Sequence, residues 1–521
     1  MRRSSYSYAD QTACHKSGLT DFPAIAIRHV MLSDYRQRFG EYHSQLRRED
    51  YRFRSGRSAS RDVAHIFSEH SDLFRLSTVE ELRAKFNDIS EYRKTERAGV
   101  GRLIAFALEG NLAARVRDIS GEAEDYDASS AIDWEGNKIR FNQAQELLAK
   151  ESDRQRRREL HARQADVLKG SQDLLAQRFQ KMQRGAAELG YESYPAMRRE
   201  LRGVDLAALA TTTTRILSKT ESRYVSTFAP LLPREANVSI DEATGADLPY
   251  LRRYARFDAF FQRDRLSVYQ ELFAAFGFST DAQSNVAIES AEQASQSFCS
   301  PIRVPDEIKL VVGSVGGHAG YREFLRTAGQ AQAAAWTSRN LNPEFQIGGD
   351  AAVSEAWAML FENLLLDETW LNLKLGFTES AEFRHALSVL RLMDIRHQAA
   401  KLNYEMEFHS GNLTSGIEQR YAELMTDAVH VRFDEAECLR EVSDDFRPAD
   451  YLRAAAFEAQ MRDYLKIKFG SRWWASAKAG ETLIDLWSAG QQYRVEELAA
   501  MIGLGELDFD SLTAELFDQI G

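Results

Sequence analysis

Gly313–Leu366 reads GSVGGHAGYREFLRTAGQAQAAAWTSRNLNPEFQIGGDAAVSEAWAMLFENLLL. Its spacing predicts a strand end, a helix, a connector and a second helix, with the two helices within about residues 320–366. The first helix carries Arg326-Thr327-Ala328-Gly329-Gln330 and the second Val353-Ser354-Glu355-Ala356. Residues four apart on a helix share a face, so Arg326 and Gln330 point the same way. Glu355 lies 25 residues beyond Gln330.

That frame has a chemical counterpart. In the His-Glu-x-x-His motif, two His at i and i+4 hold one zinc ion and the intervening Glu is the general base. In one large subgroup a Glu from a following helix is the third ligand. Ala328-Gly329 and Ala331, followed by Ser354-Glu355-Ala356 and Met359-Leu360-Phe361, resemble the thimet oligopeptidase and oligoendopeptidase F family of zinc peptidases. The likeness extends over about residues 75–520. It implies a mainly α fold: a helical body with a deep cleft and a small antiparallel β-element at about 285–315, beside the active-site helix.

The resemblance also implies a loss. Arg326 and Gln330 stand where the family has its two His, and Thr327 stands at the general base. Of the family's site only Glu355 remains. Zinc is the family's cofactor, but no catalytic residue, metal or other cofactor is expected in this chain. A Thr cannot act as a general base at neutral pH, and a positioned base contributes about 10²–10⁴-fold. A buried carboxylate without a partner is costly, so the guanidinium of Arg326 is expected to take over the ion's positive charge and pair with Glu355. His318, Tyr321 and Tyr451 are weaker candidates for the substrate-binding wall of the cleft.

The favoured reading is a non-catalytic binder of peptides or of a partner protein. One alternative is an active peptidase with an unusual ligand set of Glu355, Glu323 and His318. Another is a helical scaffold with nothing in the cleft. No other motif competes. Of the eleven His, none precedes a Glu and no two are four apart. Neither a Gly-x-Ser-x-Gly elbow nor a P-loop occurs.

Composition sets the remaining bounds. The 521 residues are 44% hydrophobic and 28% charged, enough for a large core. A net charge of −12 argues against nucleic acid as a partner, because phosphate binding needs a basic surface. No run of 18 apolar residues predicts a membrane span. Three scattered cysteines, Cys14, Cys299 and Cys438, fit a reducing, cytoplasmic setting. Residues 1–74 are Arg-rich and weakly periodic, and are expected to form a partly disordered extension. Residues 75–521 are expected to form the helical domain. Val286-Ala287-Ile288, Pro301–Pro305 and Ile308–Val312 read as short strands. Trp134–Ile139 reads as a hairpin turning at Gly136-Asn137.

Overall fold

The computed structural model describes residues 31–411 and 416–520; Cys14 lies outside them. The chain is mainly helical. Its long helices are α1 (Leu32–Arg54), α2 (Lys94–Ser129), α3 (Arg154–Glu188), α4 (Leu206–Ala236), α5 (Gly317–Ala335), α6 (Ala351–Glu362), α7 (Ala381–His409) and α8 (Arg447–Phe469). Shorter helices link them. Among the described residues no helix is long and apolar enough to cross a membrane.

Two small sheets interrupt the helices. β1 (Ala131–Trp134) and β2 (Asn137–Arg140) pair antiparallel. Their turn is Glu135-Gly136, both at positive φ (52° and 79°), one residue earlier than the sequence suggests. β3 (Val286–Ser290), β4 (Phe298–Arg303) and β5 (Glu307–Val312) form the second sheet in the order β3-β5-β4. The expectation of an antiparallel element is corrected in part: β4 pairs antiparallel with β5, but β3 pairs with it in parallel. β5 occupies the centre because its Leu310 and Val311 are buried.

Residues 32–74 also depart from expectation, being folded rather than a disordered extension. On α1, Tyr35, Phe39 and Tyr42 sit at helical spacing and are buried against Leu73, Phe74, Leu103 and Leu108. The arginines that obscured this aromatic stripe have partners. Arg36 pairs with the fully buried Glu344 at 2.7 Å, and Arg48 pairs with Glu307 at 2.7 Å.

The core helices meet pairwise, α4 on α7, α2 on α3, α5 on α6 and α6 on α8. Asp350 caps α6 by accepting from the Ala352 N–H at 3.2 Å. The same carboxylate takes both Nη atoms of Arg453 on α8, at 2.7 and 2.9 Å. Arg453 also binds Glu496. Burial alone would raise the pKa of Asp350, but the Arg453 guanidinium holds it below the carboxylate range. This bidentate pair anchors the start of α6 to α8.

Gly329 sets how closely α5 and α6 approach. A Cβ at this position would lie 2.4 Å from the Trp357 carbonyl oxygen and 2.7 Å from Cδ2 of Phe361. Both are fixed core atoms, so Gly329→Ala must push the helices apart. Overpacking of this kind costs about 1–3 kcal/mol, and urea unfolding should show the midpoint falling accordingly.

On α7, the fully buried Glu405 accepts at 2.8 Å from both the N–H and the hydroxyl of Ser443. Its second oxygen has no partner. Burial outweighs Ser443 and Lys401 and pushes this carboxyl up to about 8, from an ordinary 4.5. Between those values the unfolded chain gives up the proton first, so stability falls as pH rises through this window. Glu405→Gln should match the wild type near the bottom of the window. Near its top the variant should be more stable, by roughly 4 kcal/mol. Thermal melts across the window check this.

Candidate functional site

The side chains of α5 and α6 meet in a network of charges. Arg326 lies between two carboxylates of α6, with Nη2 donating to Glu355 and Nη1 to Glu362. Arg322, one turn earlier on α5, donates from Nε to Glu362 at 2.5 Å. Its Nη2 lies 3.9 Å from Asp394 on α7, and Asp394 accepts from Arg252 at 3.0 and 3.2 Å. The Arg326, Glu355 and Glu362 side chains are 17%, 23% and 16% exposed, so water screens the network little.

The ionisation of these groups follows from their neighbours. Burial works against a charge on Arg326, but Glu362 and Glu355 hold its pKa well above the ordinary value. Burial would likewise raise Glu362, yet Arg326 and Arg322 draw it down to about 2. Glu323, also near Arg326, is raised because burial outweighs both arginines. A guanidinium with five donors suits two carboxylates at once.

The remaining residues singled out from sequence divide into two groups. Gln330, on the same face as Arg326, lines a cavity of about 330 Å³ together with Ser354 and Trp357 of α6. Tyr451, on α8, borders a void of about 30 Å³ together with Arg322, Glu362 and Asp394. Burial raises its phenol pKa. Thr327 is buried and its hydroxyl turns back to the Glu323 and Phe324 carbonyls at 3.0 Å.

His318 and Tyr321 border neither cavity. His318 is fully buried between the rings of Phe261 and Phe383, at 5.7 and 5.1 Å. Burial pushes its imidazole down to about 4, so it is neutral at physiological pH. Tyr321 donates its hydroxyl to the Arg263 carbonyl at 2.5 Å. Both are packed into the aromatic core at the start of α5. Among the described residues no cluster of three His, Cys, Asp or Glu is placed to hold a metal ion, the set Glu355, Glu323 and His318 included. The donors around Arg326 do not fit zinc either, since Glu355 already carries a guanidinium.

The 330 Å³ cavity is closed on its other side by β4 and α1. β4 is an edge strand, and α1 lies against it. Arg47 donates to the Pro301 carbonyl at 2.8 Å, the Ser300 hydroxyl donates to the Arg47 carbonyl at 3.1 Å, and Arg54 covers the Phe298 ring at 4.1 Å. Glu362 and Arg322 had a sequence signal, being seven residues from Glu355 and four from Arg326. Asp394, Arg252 and Arg47 had none, because only the fold brings them here.

The fold has parallels among solved structures. A protein assigned as oligoendopeptidase F matches over 95% of this chain and 97% of its own, with a TM-score of 0.66 and 14% identity. A second, from Bacillus anthracis str. Ames, matches over 97% and 98%, with a TM-score of 0.64 and 12% identity. The fold is that of the oligopeptidase-like metallopeptidases. The M32 carboxypeptidase of Deinococcus radiodurans R1 shares this metallopeptidase fold over 93% of the chain and 99% of its own, with a TM-score of 0.59 and 12% identity. No protein-family model matches the sequence, and no curated protein matches it.

Proposed function

We propose that this chain is a metallopeptidase-like protein that has lost the zinc ligands and the general base, and that it binds peptides or a partner protein without cleaving them. The observation that carries this reading is the Arg326 guanidinium lodged between Glu355 and Glu362. A divalent cation beside Glu355 would have to displace a guanidinium bound to two carboxylates. Thr327, at the position of the base, has its hydroxyl committed to its own helix.

What supports retention of binding is the space that remains. The cavity lies between the edge strand β4 and the pair α5–α6. Its volume is within the roughly 300–1,000 Å³ common for small-ligand pockets. Two assays on the full chain test the reading. An unbiased peptide library should yield binders, and quenched fluorescent peptides should remain uncut with and without added zinc. Zinc-dependent cleavage that disappears in Glu355→Gln would replace this reading with an active peptidase.

A further inference from the structure

The cavity holds a cation without a counter-ion. Arg47 reaches it from α1 and makes one hydrogen bond, to the Pro301 carbonyl. Among the described residues no carboxylate is within ion-pair distance of it, in contrast to Arg36 and Arg48 on the same helix. The ionisable groups beside it are His43, on α1, which burial and Arg47 itself keep neutral, and Cys299, on β4. Burial pushes that thiol up to about 12, so it is neutral at physiological pH and offers no counter-charge. Burial also pushes Arg47 down to about 10, which still leaves it charged at neutral pH. Arg47 is half-buried, and a cation partly withdrawn from water gains from an anion that meets it.

Trp487 adds aromatic surface to the same space, while its indole N–H is sealed away from it. Gln330 and Ser354 add polar edges, and Trp357 adds an apolar face. The wall therefore combines one cation without a carboxylate partner, neutral polar groups and aromatic surface. No carboxylate lines it.

We propose that this cavity binds a small carboxylate-bearing molecule, with Arg47 as its counter-ion. This rests on the reading of the cleft as a binding site and adds the chemistry of its occupant. A planar guanidinium matches a carboxylate through paired N–H···O contacts. The carboxylate can come from the end of a short peptide or from a free organic acid. In either case its remaining atoms lie between Trp357 and the α5 residues beyond Gln330.

Calorimetric titration of the full chain, in low-chloride buffer at neutral pH, tests this with three probes. They are N-acetyl-dialanine, its C-terminal amide, and propionate. The acid should bind at least about tenfold tighter than the amide, as expected when a charge-assisted contact is lost. Arg47→Gln should erase that preference and Arg47→Lys should keep part of it. Propionate competing as strongly as the dipeptide would support the assignment and identify a free acid as the source. Equal binding of acid and amide would overturn the carboxylate assignment, whatever the folding of the variants, and would leave the binding cleft standing. Binding of library peptides with no response to acid or propionate would overturn it in the same way. If no peptide and no acid binds, the cleft reading falls as well.

Discussion

Arg326→Ala should lower the stability of the protein by about 3 kcal/mol, near the cost of removing one partner from a buried ion pair. The variant leaves Glu355 and Glu362 on one face of α6 with no cation between them, and raises the influence of the neighbouring Glu323. Arg322 still reaches Glu362, so Glu355 becomes the orphan. Glu355→Gln in the Arg326→Ala background should recover part of the loss. Acid behaviour gives an independent readout. Glu362 is held near 2 against an ordinary 4.5. A depressed carboxylate contributes stability above its unfolded pKa, and that contribution is lost as pH falls through the folded value. In Arg326→Ala this acid-side slope should flatten. Urea unfolding in this acid window and at neutral pH measures both effects. An unchanged neutral midpoint would mean that the network contributes nothing.

The second large effect is a gain. Arg326→His, Thr327→Glu and Gln330→His together should create a zinc site with Glu355. Arg326 and Glu355 are already in contact across the helix pair, and position 330 is one turn along the same face. Losing Arg326 frees the carboxylate, and two imidazoles with one carboxylate are an accepted catalytic ligand set for zinc. Zinc at a hundred times its dissociation constant should stabilise the folded variant by about 2.7 kcal/mol. The matching rise in melting temperature should be absent from the wild type. Because residue 327 is buried, Arg326→His with Gln330→His serves as a control that leaves Thr327 in place. If both variants fold and neither responds to zinc, the two helices do not present these positions to one point.

Much of this architecture was legible because local pattern and tertiary role agree. The β-branched run before Gly313, the small residues Ala328 and Gly329, and the helical spacing around Glu355 each describe the element that forms. Gly329 shows why: its missing side chain is what admits the Trp357 backbone. The pairing of Arg326 with Glu355 followed from the cost of a buried carboxylate, although Glu362 shares the guanidinium. Residues 32–74 were misread because a dense run of arginines masked a three-residue aromatic stripe, and the carboxylates that pair with Arg36, Arg48 and Arg57 are hundreds of residues away. The direction of β3 was hidden for a related reason, since strand order is a property of the sheet and not of any strand. His318 and Tyr321 illustrate a third limit. Both are polar residues beside the motif, yet both are spent within the core.

The most direct test of the central claim is the zinc content of the purified wild-type protein after equilibration with excess zinc and gel filtration, read by elemental analysis. With Arg326 in place of the ion, the protein should retain far less than an equivalent of zinc per chain, and Arg326→Ala alone should not raise it to one. A full equivalent in the wild type, lost in Glu355→Gln, would contradict the account and return the chain to the catalytic peptidases.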